Sequence, residues 1–190
     1  HRDLHSFPTR RSSDLFEGSP DGFRIVLNSS NFMKITDLGL TAFGQAYDTV
    51  GKAMMFDKSD GDTDSTAFGT WFIIKNGDTL SNRHVYAVSR GIDENGNPLG
   101  LHQITFDSLK NGIFYFRHAP LEGGDPVHAI VRKNSKYRYV WFSLATNDTI
   151  PAEPAMDQWD LLFTQYTTML YTDAGEPYPY LLTGDRKSVV

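Results

Sequence analysis

The stretch "HVYAVSRGIDENGNPLGLHQITFDSLKNGIFYFRH", His84 to His118, decides the fold. Three apolar runs, "HVYAVSR", "LHQITF" and "IFYFRH", are separated by "DENGNP" and "LKNG", and such Gly-, Asn- and Pro-rich breaks punctuate antiparallel strands. Inside the runs the side chains alternate. Ile104 and Phe106 fall on one face of their strand, and Phe114 and Phe116 on one face of the next, because successive strand residues point to opposite sides. Gln103, Thr105 and Asp107 are the polar alternates, predicted to face water.

The same pattern extends outward. "FRIVLN" (Phe23 to Asn28) reads as a short strand, and "TWFIIK" and "HVYAVSRG" flank an "NGDT" turn at Asn76 to Thr79. Downstream, "KNSK" separates "VHAIVR" from "YRYVWFSL", whose Val140, Phe142 and Leu144 share a face. "IPAEPAMDQ" (Ile150 to Gln158) is a Pro-containing connector, too irregular for a strand. "WDLLFTQYTTML" and "YPYLLTG" resume the strand pattern around a "TDAGEP" turn. A helical turn or two is expected only around Phe43 to Val50, where two glycines weaken it. The class is therefore mostly β, an antiparallel sheet or meander. "FEGSPDGFRIVLN" and "FTQYTTMLYTDAGEPYPYLLTG" also share an order of Phe, turn and apolar strand, the mark of an internal repeat.

The two ends read differently. "DRKSVV" (Asp185 to Val190) can be encoded by DNA whose reverse complement fits a permitted coding of "TRRSSDL" within the opening "HRDLHSFPTRRSSDL" (His1 to Leu15). Both resemble the translation of a sequencing-library adapter, and such scars are set aside in fold reasoning. The expected organisation is residues 1–15 as foreign tail, 16–134 as an upstream β-rich half, 135–184 as the start of a second domain, incomplete at both ends, and 185–190 as foreign tail.

Composition narrows the function. The whole chain carries 18 basic and 23 acidic residues, a net charge of −5, and residues 16–184 hold 13 against 20. No basic patch is present, so a nucleic-acid footprint is not expected. With 39% hydrophobic and 13% aromatic residues the chain can bury a core. The absence of Cys excludes disulfides, thiolate zinc sites and thiol catalysis. No window approaches the ~20 apolar residues of a membrane-crossing helix.

Motifs of catalysis do not appear: no Gly-rich phosphate loop, no "GxSxG" elbow and no "HExxH". The expectation is a non-enzyme. The acidic loop "DKSDGDTDSTAFG" (Asp57 to Gly69) alternates Asp60, Asp62 and Asp64. Ser65 nevertheless stands where a calcium loop needs Gly, and Trp71 where it needs Glu, so the loop reads as a solvated turn. "NSS" at Asn28 and "NDT" at Asn147 fit the glycosylation acceptor pattern only by chance.

The segment "KYRYVWFSLATNDTIPAEPAMDQWDLLFTQYTTMLYTDAGEPYPYLLTG" resembles the opening of the HmuY-like haem-binding lipoproteins of Bacteroidetes. The features are an aromatic strand with Tyr137, Tyr139, Phe142 and Ser143, a variable connector, and then Trp159, Asp160, Phe163 and Tyr166. "LNSSNFM" and "HVYAVSRGIDENGNPLG" look like elements of the upstream half of longer members. Read from the residues, Trp159 and Asp160 are structural, a buried ring at a strand entrance and a turn cap. The resemblance implies an exported, lipid-anchored protein of the outer membrane or cell surface. Its cofactor would be haem, its partners haem or haemoproteins and an outer-membrane uptake receptor. The alternative is a structural or carbohydrate-binding surface module without haem.

Haem requires axial His, Met or Tyr in an apolar cleft. Of His84, His102, His118 and His128, the candidates are His102, which shares a face with Ile104 and Phe106, and His118, which shares one with Phe114 and Phe116. If their strands pair through "LKNG", the two rings meet at one end of a hairpin. The competing reading is a pair of satisfied core or rim histidines, and the resemblance itself implies ligands beyond the Trp-Asp strand. Tyr166, Met169 and Tyr171 receive no ligand role.

Overall fold

The computed structural model describes residues 14–58, 65–76, 78–158 and 161–187. Its strands are β1 (Asp14–Glu17), β2 (Ile25–Leu27), β3 (Lys34–Gly39), β4 (Phe72–Lys75), β5 (Asp78–Ser81), β6 (Val85–Ser89), β7 (Leu101–Lys110), β8 (Ile113–Pro120), β9 (Val127–Arg132), β10 (Tyr139–Ser143), β11 (Asp148–Ile150), β12 (Leu161–Tyr171) and β13 (Pro177–Lys187). Every strand pairing is antiparallel. The chain is mostly β, as the alternation predicts.

The hairpin from His84 to His118 lies at the centre. β7 pairs with β6 along one edge and with β8 along the other, and β8 passes on to β9. Asn111 and Gly112 make the β7–β8 turn with φ of 51° and 70°. Positive φ at both positions is what a two-residue turn needs to match strand twist, and Asn-Gly supplies it at little cost. Next to Asp107 the register shifts, and beyond that bulge Ser108 pairs with Leu80 of β5. One long strand thereby holds both β6 and the β4–β5 hairpin on the same edge. β3 closes the sheet against β6.

A second sheet, in the order β11-β10-β1-β2, covers this one. The two share a core in which Phe16, Ile25, Leu27 and Phe142 of the smaller sheet meet Ile104, Phe106, Phe114, Phe116 and Val131 of the larger. Phe16 lies 5.1 Å from Phe114 and 5.2 Å from Phe116, and Phe116 lies 5.0 Å from Phe142 edge-on. These are favourable aromatic separations, and their geometry adds to the area buried. Trp71, 1% exposed, fills the centre and donates its indole N–H to the Phe23 carbonyl at 2.7 Å.

Several expectations are corrected. Phe43 to Val50 forms no helical turn. Gly44 sits at a φ of 89°, and the segment is tied across the large sheet by Tyr47 N–H to the Leu121 carbonyl at 2.9 Å. That segment covers the face on which Gln103 and Thr105 stand, so these residues are 0% and 3% exposed rather than solvated. Gln103 accepts from Gly44 N–H at 2.8 Å and donates to the carbonyls of Gln45 and Pro120, both at 2.9 Å. Such full pairing is what lets a polar side chain stay buried. Asp107 does face water, paired with Arg117 at 2.7 Å.

The meander also stops at β9. After it the chain crosses to the other sheet, where β10 pairs with β1 and β11. Gly18 permits the crossing, since a Cβ there would collide with the carbonyl oxygens of Tyr137 and Asn134. Strands β1, β3, β5 and β11 are additions to the sequence expectation, and β5 begins at Asp78, inside "NGDT", and runs on to Ser81 ahead of "HVYAVSR". Both segments of the suspected repeat fold as hairpins, β1–β2 and β12–β13. Asp14 and Leu15 belong to β1 and residues 185–187 to β13, since ladder pairing uses backbone groups whatever the side chains. The β12–β13 ribbon touches the rest through Thr167, whose hydroxyl donates to the Ser29 carbonyl at 2.5 Å.

Candidate functional site

β7 and β8 bring His102 and His118 together. Ile104 pairs with His118 and His102 with Pro120, so the two rings are diagonal neighbours on the core face. Their centroids lie 5.6 Å apart with 26° between the planes. His118 is 3% exposed and its Nε2 meets Asn147 Oδ1 at 2.9 Å. Each ring has a buried Nδ1 with no hydrogen-bond partner among the described residues. Burial, reinforced by Arg90 and by the other ring, lowers His102 to about 4. Burial also lowers His118, against the Asn147 hydrogen bond and with a smaller push from Arg90. Both imidazoles are neutral at pH 7.

This arrangement does not fit haem held between the two rings. Axial ligation needs ring nitrogens aimed at iron from an apolar cleft wide enough for the macrocycle. Here the rings are stacked face over face, His118 buried and His102 half-buried at the edge of the core, and His118 spends its Nε2 on Asn147. The other histidines stand apart. His84 pairs with Asp37 at 2.8 Å, and exposed His128 offers its backbone carbonyl to Asn147. Trp159 and Asp160 lie outside the described residues, as do Asp60, Asp62 and Asp64. Among the described residues no group of three or more His, Cys, Asp or Glu is placed to hold a metal ion. Asp57, at the start of that loop, is buried. Its carboxylate accepts from Leu27 N–H at 2.6 Å and Ala67 N–H at 2.5 Å, so it pins the loop to β2. Asn28 and Asn147 both use their side-chain amides in internal hydrogen bonds.

A cleft of about 340 Å³ opens on the outward face of β10. Its walls include Tyr137, Tyr139 and Trp141, and its polar groups Arg132, Thr149 and Glu153. Alternation produces the aromatic wall: Phe142 turns to the core, while Tyr139 and Trp141 turn the other way. Glu153 arrives from the connector after β11 and accepts from Tyr139 N–H at 3.0 Å. Burial raises its pKa, against the hydrogen bonds from Tyr139, Trp141 and Arg138 that favour the ionised form. The Trp141 indole N–H is buried and directed at this carboxylate. Motif reading missed this site. Its signal was an aromatic residue at each outward position of "YRYVW", where a solvated strand would carry polar ones.

A second hollow of about 410 Å³ lies beside Phe43, Thr105 and the Asp107–Arg117 pair. Arg117 there sits 5.2 Å over the Phe43 ring, so its charge is already engaged.

No family model, curated protein or solved structure matches the chain.

Proposed function

We propose that this chain belongs to a non-enzymatic, exported protein held at the cell surface, which captures haem or another porphyrin for uptake. The observation that supports the reading is the run from Tyr137 to Gly184. It comprises an aromatic strand closing on Phe142 and Ser143, an irregular connector and a long aromatic hairpin, in the order of the HmuY-like lipoproteins. Under this reading a lipid anchor holds the protein, and haemoproteins and an outer-membrane receptor are its partners. Under it His118 acts as a core residue and His102 as a rim residue, and neither is a ligand. Titration with hemin tests it: a shifted Soret band that persists when both histidines are replaced by Gln is the expected result. An unchanged spectrum at excess hemin overturns it.

A second reading, a surface module that binds carbohydrate, is favoured by the aromatic cleft beside Trp141.

A further inference from the structure

We infer that the β12–β13 hairpin of one copy docks across the outer face of the large sheet of a second copy, so that the chain associates with itself head to tail. Both halves of the contact are exposed on one molecule. The Gly44 segment covers the outer face over Gln103 and Thr105. Further along the same face Ile73 pairs with Leu80, Leu80 with Ser108, Ser108 with Tyr115 and Tyr115 with Ile130. Ladder partners stand on the same side of a sheet, so these residues form one row about 19 Å long, at ~4.8 Å per strand spacing. The four apolar members are each between 38% and 56% exposed. A contiguous apolar row of this kind marks an interaction site. Two residues beyond Ile73, Ser108 and Ile130, and so on the same face, stand Lys75, Lys110 and Arg132, all exposed. The ladder partner of Lys75 is Asp78, so this flank holds three cations and one acid.

The hairpin has the complementary chemistry. A two-stranded ribbon is marginal by itself in water, and this one exposes Met169, Tyr171, Tyr178 and Tyr180 toward its turn. Tyr178 and Tyr180 stand side by side, their rings 6.5 Å apart and edge-on. The turn carries the exposed Asp173 and Glu176, and no Lys or Arg occurs between Leu161 and Gly184. From Thr168 to Thr172 the ribbon extends about 14 Å at ~3.4 Å per residue, so it lies within the length of the row. Docked there, the tyrosines cover the apolar row and the acidic turn meets Lys75 and Lys110. Opposite charges at the rim of such a contact set its orientation and speed its formation. The contact is small and belongs to the weak, transient class of interfaces. Its two surfaces differ, so copies add head to tail instead of closing on a two-fold axis.

Sedimentation velocity from micromolar to millimolar chain tests the assignment. The sedimentation coefficient is expected to rise with concentration and to fall back on added salt, which screens the charged rim. Asp173→Lys with Glu176→Lys, and separately Lys75→Glu with Lys110→Glu, put like charges face to face. Each pair is expected to weaken association about tenfold or more. Mixing the two double variants in equal amounts is expected to restore association, because each reversed surface then meets an opposite one. All four side chains are exposed, and far-UV circular dichroism checks that each variant keeps its strands. Ile73→Ser, which changes no charge, is expected to weaken association as well. A parent chain that stays monomeric throughout overturns the inference, as does association indifferent to both reversals or a mixture that fails to recover. A monomer that instead binds vesicles of anionic phospholipid, and loses them with Lys75→Glu and Lys110→Glu, overturns it and gives the basic row to a lipid surface. The hemin titration is independent of each of these outcomes.

Discussion

The Phe16 ring of one sheet lies 5.2 Å from the Phe116 ring of the other, with 28° between their planes. This contact, extended edge-on to Phe142, is where the two layers lock. Phe116→Ala empties a site that is 1% exposed. A loss of about 3–5 kcal/mol is expected, as for other buried Phe truncations. Urea unfolding checks it, and a midpoint within error of the parent would mean the sheets do not meet there.

Gln103 holds the segment around Gly44 onto the back of the large sheet through three hydrogen bonds. Gln103→Leu strands the Gly44 N–H and two carbonyls, each unsatisfied group costing about 1–3 kcal/mol. Lower stability and faster amide exchange at Gly44 are expected. Unchanged exchange there would show that other contacts hold the segment.

Acid should weaken the fold through the histidine pair. Burial puts His102 at about 4 in the folded chain against 6.5 unfolded, and lowers His118 in the same direction. Between those values the unfolded chain binds more protons, so stability falls as pH drops from about 6.5 toward 4. Arg90 opposes added positive charge beside both rings, and Glu122 acts the other way on His102. Replacing both histidines with Gln should flatten this limb of the stability profile. A limb of undiminished slope would place its origin elsewhere.

Asp14 produces the opposite slope. It is 1% exposed, and one of its carboxylate oxygens has no hydrogen-bond partner among the described residues. Burial first, and Asp57 second, push it up to about 7 from 3.8, against Arg90. Between those values the folded chain holds the extra proton, so this contribution is lost as pH rises through 7. Asp14→Asn should therefore raise the melting temperature at pH 8 and change it little near pH 4. Each kcal/mol recovered corresponds to roughly 2–4 °C for a chain of this size. An equal effect at both pH values would show that the carboxylate is not protonated by folding.

The strands from His84 to His118, their two turns and the inward set of Ile104, Phe106, Phe114 and Phe116 were all readable in the order of residues. So was the meeting of His102 with His118, because alternation and an Asn-Gly turn are local rules that fix face and register together. The burial of Gln103, the crossing from β9 to β10 and the cleft beside Trp141 were not. Each depends on which distant segment lies over a given face: the Gly44 stretch over β7, β1 beside β10, and the Ile150 to Glu153 return against Trp141. Periodicity records that a strand has two sides, and carries no information about what comes to cover either one. The same reason separates the two histidine readings, since a shared face brings the rings together while the neighbours packed around them, Asn147 among them, fix whether a ring nitrogen is free to bind.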